Sequence, residues 1–368
     1  MAGLYIHVPF CLRKCEYCDF YSEAGSLDRI PAFLSALEKE CDRYLQPSAA
    51  MRGIVETVYF GGGTPSLLEP DQVNRFLRKI RPFFIQNPQP EITIEANPAT
   101  LSVKKLKGYL KADVNRISLG VQSFDDSVLK LLGRLHSSKE AEEAIRMVRE
   151  SGYDNVGVDL IYSIPGQTRS QWEKTLEKTV LLAPDHISAY ALTWSYSTPL
   201  GKKIESGLLP KPGDDFTADL SMAATELLED AGYEHYEISN YARPGKRSKH
   251  NESYWTGKPY LGLGPSAHSL MGNKRFWNVY HVERYIQILS QDRLPIEEEE
   301  ILSPEDRKLE RLAVGLRRKE GVSIAELEID EKKLSMLVEN DLAVVSGGML
   351  SLTSKGMLLA DEIAMGLV

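Results

Sequence analysis

The chain has 368 residues, of which 42% are apolar, and it carries a formal net charge of −8 with a pI near 5.6. This length exceeds the usual single hydrophobic core, so one large domain and a smaller one are expected. The acidic balance gives no electrostatic reason to expect nucleic acid or an anionic membrane as partner, because both attract basic surfaces. The expected partners are small molecules or proteins.

The start of the chain enters an apolar run at residues 4–8, without a basic segment followed by a signal-like apolar stretch. No run approaches the roughly 18 apolar residues of a membrane helix. We therefore expect a cytoplasmic protein that is not an integral membrane protein. Four cysteines make a poor disulfide framework in a chain of this length, and three of them fall within eight residues. That clustering predicts a metal site.

Short β-rich runs alternate with helical patterns through the first half of the chain. The runs are 4–8, 54–60, 91–95, 116–119, 156–161 and 187–192. Six such units predict a parallel sheet, and the apolar strands predict a sheet that is covered by helices. The expected fold class is α/β, a partial (β/α)6 barrel with its site at the carboxyl ends of the strands. The first helical pattern places Cys41 on the apolar face, so Cys41 is predicted to be core.

The pattern changes after residue 193. A helix is predicted at 215–231, and the barrel is expected to end near residue 240. Helices at 304–319, 331–340 and 355–365, with a hairpin of 342–345 and 350–353, outline a winged-helix-like domain. Residues 303–368 contain 12 acidic and 9 basic side chains, which favours a structural or partner-docking role over DNA binding. The predicted units are a barrel at 1–240, a connecting segment at 241–285 and the C-terminal domain at 286–368.

The three clustered cysteines are Cys11, Cys15 and Cys18, a C-x3-C-x2-C loop directly after the first predicted strand. Thiolates are the ligands of iron–sulfur clusters, and close spacing lets one loop surround one cube. Three ligands for four irons leave one iron open, which is typical of a substrate-binding metal site. The alternative is a structural zinc site with His7 as fourth ligand, although zinc sites usually have paired C-x2-C knuckles.

This loop resembles that of the radical S-adenosylmethionine (SAM) superfamily. The resemblance implies a [4Fe-4S] cluster whose open iron binds the methionine end of SAM, with electron transfer into the sulfonium. The glycine segment 61–65 follows the second predicted strand, and the resemblance implies that Gly62, Gly63 and Thr64 contact the cofactor's ammonium group. The alternative is a tight strand-to-helix turn, which also requires glycine.

Polar residues lie at or beyond the ends of three further predicted strands. Glu95 ends the third strand, Gln122 follows the fourth and Asp159 lies in the fifth. Burial of one such group is explained by a local partner, but three on one rim predict a ligand with hydroxyls and a cation.

Three more residues are candidates for cofactor contacts. Arg134 is a candidate partner of the cofactor carboxylate, with an exposed surface arginine as the alternative. Tyr5 and Tyr17 offer rings near the cluster and the adenine, with packing as the alternative.

Five stretches together resemble the oxygen-independent coproporphyrinogen dehydrogenase family. They are 5–11, 61–65, 95–98, 120–124 and 159–162. That family has a further cysteine two residues after the third ligand and a long N-terminal segment, whereas this chain has Phe20 there and ten residues before Cys11. Both departures match the related HemW heme chaperone family, whose His-Asn-x-x-Tyr-Trp signature matches residues 250–255 here.

The resemblance implies heme as a cofactor, with His250, Asn251, Tyr254 and Trp255 as candidate heme residues. Imidazole ligates heme iron and aromatic rings shelter the macrocycle, although a turn with two packed aromatics would give the same pattern. His268 is a second candidate. His186 and His235 are interpreted as structural.

Three functions remain open from the sequence. The first is a heme chaperone of porphyrin metabolism that carries exchangeable SAM and passes heme to an acceptor, such as a membrane-associated respiratory protein. In this case no catalytic residue is assigned. The second is a radical SAM enzyme acting on a tetrapyrrole, by oxidative decarboxylation of coproporphyrinogen III or by heme ring opening. The third is a redox-sensing winged-helix regulator, which requires a basic recognition helix that the sequence lacks.

Overall fold

A computed structural model describes residues 2–44, 55–83, 90–326 and 330–367. Its strands are β1 Ala2–Val8, β2 Phe10–Cys11, β3 Glu23–Ala24, β4 Val55–Gly62, β5 Glu91–Ala96, β6 Arg116–Gln122, β7 Val156–Tyr162, β8 His186–Ala191, β9 Glu234–Glu237, β10 Asn240–Ala242, β11 Tyr260–Leu263, β12 His268–Met271, β13 Lys274–Asn278, β14 Ile296–Ile301, β15 Val322–Ser323, β16 Ala343–Ser346 and β17 Met349–Leu352. Its α-helices are α1 Ile30–Tyr44, α2 Pro70–Ile80, α3 Val103–Lys111, α4 Asp126–Leu132, α5 Ser138–Glu150, α6 Arg169–Leu182, α7 Pro199–Glu205, α8 Asp214–Asp230, α9 Lys249–Trp255, α10 Val282–Ser290, α11 Pro304–Gly315, α12 Glu331–Glu339, α13 Ser354–Met357 and α14 Ala360–Gly366.

The six predicted strands are confirmed as neighbours in one sheet, in the order β1-β4-β5-β6-β7-β8, and every adjacent pair is parallel. The first residue of the predicted run 54–60 lies outside the described residues. Helices connect these strands, as parallel pairing requires. The prediction of a partial (β/α)6 barrel is therefore confirmed, and the carboxyl ends of the strands form one rim.

Alternation along β1 explains which face of the sheet packs against helices. Leu4, Ile6 and Val8 are buried in the main core together with Phe33 of α1. Tyr5 and His7 point to the opposite, inner face because side chains alternate along a strand. Cys41 is also buried in this core, as predicted.

The sheet continues beyond the six parallel strands on both sides and has twelve strands in all. Next to β8 lie the antiparallel strands β10 and β9, while β11 pairs parallel to β1 and leads to the antiparallel strands β12, β13 and β14. The sheet thus extends through residue 301, past the predicted limits at residues 240 and 285. The division into three functional units remains a prediction.

The C-terminal unit has a separate apolar core and a three-stranded antiparallel sheet in the order β15-β17-β16. The predicted helix at 304–319 ends earlier, at Gly315, and the hairpin is confirmed as β16 and β17. The continuous helix predicted at 355–365 is wrong, because α13 and α14 are separated by Leu358 and Leu359. Within the described ranges, no helix is long and apolar enough to cross a membrane.

Candidate functional site

The three clustered cysteines lie at the carboxyl end of β1, and all are free and half-buried. Cys11 ends the short strand β2 and accepts a hydrogen bond from the Thr64 hydroxyl at 3.4 Å. The Arg134 Nη1 donates to the Cys15 sulfur, also at 3.4 Å. Burial, with the charges of the neighbouring Cys15 and Cys11, raises the pKa of the Cys18 thiol to about 11, and a hydrogen bond from the Phe20 backbone opposes this rise. Each of the three sulfurs therefore has a hydrogen-bond donor beside it.

Two turns hold this loop in place. On one side the Thr64 amide donates to the Phe10 carbonyl oxygen at 2.7 Å. On the other side the Glu16 amide donates to the Leu132 carbonyl oxygen at 3.1 Å, and Arg13 Nη2 donates to the Gly133 carbonyl oxygen at 2.5 Å. The loop is therefore fixed between the end of β4 and the end of α4.

The donor set fits an iron–sulfur cluster better than a single metal ion. Across the described part of the chain, no three His, Cys, Asp or Glu side chains are grouped as one ion would require. His7, the fourth ligand of the zinc alternative, is buried, with its Nε2 bonded to the Tyr21 carbonyl oxygen at 2.9 Å and its Nδ1 to the Tyr5 hydroxyl at 3.1 Å. Hydrogen-bond donors beside cluster sulfurs are the kind of neighbour that iron–sulfur sites use.

The glycine segment after β4 packs closely against the first strand. Gly62 has φ +104°, and a Cβ there would lie 2.6 Å from the His7 ring. A Cβ on Gly63 would lie 2.7 Å from the Phe10 carbonyl oxygen. Packing thus requires glycine at both positions. The ammonium group of a bound SAM would only donate, so carbonyl and hydroxyl oxygens of this segment suit it.

Glu95 and Asp159 lie on the inner face of the sheet, and the charge of Asp159 affects Glu95. Glu95 accepts hydrogen bonds from the Tyr59 hydroxyl at 2.9 Å and from the Gly62 amide at 3.2 Å. Desolvation, assisted by the Asp159 charge, raises the pKa of Glu95 to about 7. Asp159 accepts from the Ser118 hydroxyl at 3.2 Å, and burial raises its pKa as well. These carboxyl groups are suited to accept hydrogen bonds from ligand hydroxyls.

Gln122 and Arg134 flank Gly120 near the cysteine loop. Gln122 ends β6 with φ 71°, a left-handed conformation that is uncommon outside glycine. The Arg134 Nη2 donates to the Gly120 carbonyl oxygen at 2.5 Å, whereas its Nε has no hydrogen-bond partner among the described residues. Arg134 is therefore not a free surface arginine, and it retains donor capacity for an anionic group.

The two candidate tyrosines lie in different surroundings. Tyr5 lies on the inner face, where its ring stacks on Tyr59 with centroids 6.2 Å apart. Tyr17, in the cysteine loop, packs against an apolar cluster that includes Leu132 and Ile161. Burial raises the pKa of the Tyr17 hydroxyl, so it stays protonated at neutral pH.

His250, the first residue of the predicted heme motif, is buried on helix α9. Its Nδ1 is 2.8 Å from the Thr57 hydroxyl, its Nε2 is 2.9 Å from the Tyr254 hydroxyl, and its ring stacks on Tyr59 at 5.0 Å. Burial, with the Arg116 charge, lowers the pKa of the imidazole to about 3. Both nitrogens are thus paired, so iron ligation would require one of these bonds to break. The assignment of His250 to heme remains a prediction.

The remaining residues of the heme motif and the other histidines lie in different parts of the structure. Arg317 lies over the Trp255 ring at 4.9 Å, and the buried Trp255 Nε1 has no partner in the described parts of the chain. Asn251 is half-buried on α9. His268 is exposed and stacks on Trp277. His186 and His235 are buried, with partners Tyr236 and Ile238, as a structural role requires.

Sequence reasoning missed the partners on the inner face, namely Thr57, Tyr59 and Ser118. The signal was the period of two along β4, because Thr57 and Tyr59 alternate with the core residues Val58 and Phe60.

The curved parallel sheet with a three-cysteine loop after its first strand defines a radical SAM protein. The model of that family, Radical SAM superfamily, matches residues 5–179. The solved coproporphyrinogen III oxidase HemN of Escherichia coli, a radical SAM enzyme, superposes with a TM-score of 0.85 at 25% identity, over 99% of this chain and 89% of that one.

Similar proteins indicate which family within the radical SAM superfamily the chain belongs to. Heme chaperone HemW of Mycobacterium tuberculosis is 36% identical, covering 98% of this chain and 93% of the relative. Heme chaperone HemW of Bacillus subtilis is 32% identical, covering 99% and 98%. The chain belongs to the HemW family.

Proposed function

We propose that this chain binds heme and delivers it to an acceptor protein, and that Cys11, Cys15 and Cys18 hold a [4Fe-4S] cluster with exchangeable SAM. The observation that supports the cluster is the loop itself, in which Thr64 and Arg134 already donate to two sulfurs. When bound, such a cluster supplies an electron to the sulfonium of SAM. Membership of the HemW family supports heme as the cargo.

The proposal gives the inner-face residues roles in holding SAM. Arg134 pairs with the cofactor carboxylate through its unpartnered Nε edge, as guanidinium groups commonly do. Oxygens of Gly62, Gly63 and Thr64 accept from the ammonium group, and Glu95 and Asp159 accept from hydroxyls. The remaining proposed contacts are Gln122, Tyr5 and Tyr17.

Anaerobic reconstitution tests the cluster. The single variants Cys11→Ala, Cys15→Ala and Cys18→Ala are expected to lose bound iron and sulfide, because each removes one of three ligands. Cys41→Ala is the matched control, since Cys41 is a buried core residue. Retention of a full cluster in any of the three variants would contradict the ligand set.

Heme titration of the purified chain tests the cargo. Stoichiometric binding in the micromolar range, followed by transfer to an apo-heme protein, is the expected result. Absence of binding at micromolar heme would contradict the proposal. The acceptor and the cytoplasmic location remain parts of the proposal that require pull-down and fractionation.

A second candidate is radical chemistry on a tetrapyrrole, and the structural similarity to HemN favours it. Phe20 argues against decarboxylation, because it replaces the extra cysteine of the dehydrogenase family with an exposed apolar ring. Reduced, reconstituted protein incubated with coproporphyrinogen III or heme distinguishes the two. Formation of 5′-deoxyadenosine with an altered tetrapyrrole would favour the enzyme.

A further inference from the structure

A cleft of about 690 Å³ lies between helix α9 and the C-terminal unit. Trp255 of α9 forms one wall, and α11, β15 and β17 form the others. The volume is within the range of roughly 300–1,000 Å³ for small-molecule sites. The cleft is separate from the cysteine loop, because His250 of α9 lies beside Gly3 and Thr57 near the amino ends of β1 and β4, while the loop follows the carboxyl end of β1.

The cleft has a cationic side. Arg307, Lys308, Arg311 and Arg318 line it, and its described lining contains no aspartate or glutamate. Arg307 donates to the Gly272 carbonyl oxygen at 2.5 Å, a neutral acceptor that leaves its charge uncompensated. Within the described ranges, Arg311 has no hydrogen bond or ion pair, whereas Arg318 pairs with Glu320 at 2.9 Å. Because Arg307 and Arg311 are four residues apart on α11, they present two cations on one face.

Most of the remaining lining is apolar, apart from Thr256 and Ser323. Trp255, Leu312, Val322 and Met349 line the cleft beside the arginines. Gly315 allows β15 to approach α11, since a Cβ there would lie 2.3 Å from Val322 Cγ1. An apolar surface next to two uncompensated cations matches an amphipathic dianion, because apolar burial and charge pairing then both stabilise the same ligand.

We infer that this cleft is the porphyrin site, with the two propionates on Arg307 and Arg311 and the macrocycle against Trp255, Leu312 and Met349. The inference rests on the proposed heme function and adds a location to it. The described lining contains no histidine or cysteine. Binding therefore depends on the carboxylates and the ring, and iron adds little to affinity.

The test compares three porphyrins in absorption titrations of the full reconstituted chain: heme, metal-free protoporphyrin IX and mesoporphyrin dimethyl ester. We expect heme and protoporphyrin IX to bind with Kd values within about threefold of each other, and the uncharged ester to bind about 10- to 100-fold more weakly. The double variant R307Q/R311Q is expected to lose about 10- to 100-fold for the two acids and nothing for the ester.

The matched control is K332Q/K333Q, which removes the same charge from α12, outside the cleft. Arg311→Gln alone breaks no hydrogen bond or ion pair among the described residues, so it tests the site if the double variant unfolds. Heme binding that is unchanged in R307Q/R311Q, or that is absent for protoporphyrin IX, would overturn the location while leaving the heme function standing. Failure of the unaltered chain to bind any porphyrin would overturn both.

Discussion

Removal of the His250 side chain provides a direct test of what the HemW motif does in this fold. His250→Ala deletes an imidazole that is 1% exposed and that bonds to Thr57, itself 2% exposed. The cavity costs about 2 kcal/mol and the unpaired Thr57 hydroxyl about 1–2 kcal/mol more, so we expect a loss of about 3–4 kcal/mol in the free energy of unfolding. Tyr254 is only half-buried and regains a partner from water.

Urea unfolding followed by circular dichroism measures this loss, and heme titration at zero urea measures cargo binding. His186→Ala is the matched control, because His186 is equally buried and bonds a tyrosine hydroxyl at 2.7 Å. We expect both variants to lose stability and both to keep their heme affinity. A His250→Ala protein of unchanged stability with heme affinity reduced tenfold or more would refute the reasoning and identify His250 as an iron ligand.

Three further predictions concern the cysteine loop and its surroundings. Gly62→Ala is expected to lower the iron content after reconstitution severalfold, because the added Cβ would meet the His7 ring. Gly166→Ala is the control and is expected to keep its iron, because Gly166 also has a positive φ but no atom within 4 Å of an added Cβ. Equal iron contents in the two variants would contradict the packing argument. Arg134→Gln is expected to weaken SAM binding about tenfold, as measured by equilibrium dialysis. Arg146→Gln on α5 is the control. An unchanged SAM affinity of the Arg134→Gln variant would show that Arg134 does not bind the cofactor. His136 is buried, and desolvation with the Arg134 charge lowers its pKa from 6.5 to about 4, so the unfolded chain takes up a proton there as the pH falls and the folded chain does not. The free energy of unfolding therefore decreases as the pH falls below 6.5. His136→Phe should reduce this decrease between pH 7 and pH 5 by about 2 kcal/mol. Identical dependence of stability on pH in the variant and the unaltered chain would contradict this.

The parallel half of the fold and the cysteine loop could be predicted from the sequence because both are encoded locally. Each of the six strands is a short β-rich run, and the three cysteines fall in one loop, so no distant contact is needed to recognise them. Gln122 and Glu95 were likewise visible as polar residues at strand ends.

The outer strands and the surroundings of His250 could not be predicted because they depend on distant partners. Strand β14, Ile296–Ile301, is mostly glutamate, and it belongs to the sheet as an edge strand whose charges discourage further pairing. Thr57 and His250 are 193 residues apart in the chain, so no local pattern relates them. The arginines of the cleft lie in a C-terminal region that is acidic overall. The net charge of that region does not show on which face each charged side chain lies, so the cationic side of the cleft could not be predicted.

The position of β1 between β4 and β11 also bears on how the protein is made. During synthesis, the strand that leads into the cysteine loop acquires its second neighbour only after residue 263 has left the ribosome. Until then one edge of β1 exposes unpaired backbone groups, which are prone to pair with the wrong chain. We therefore expect iron to be loaded only after the first 263 residues have emerged, and we expect chains truncated before that point to aggregate before they take up metal.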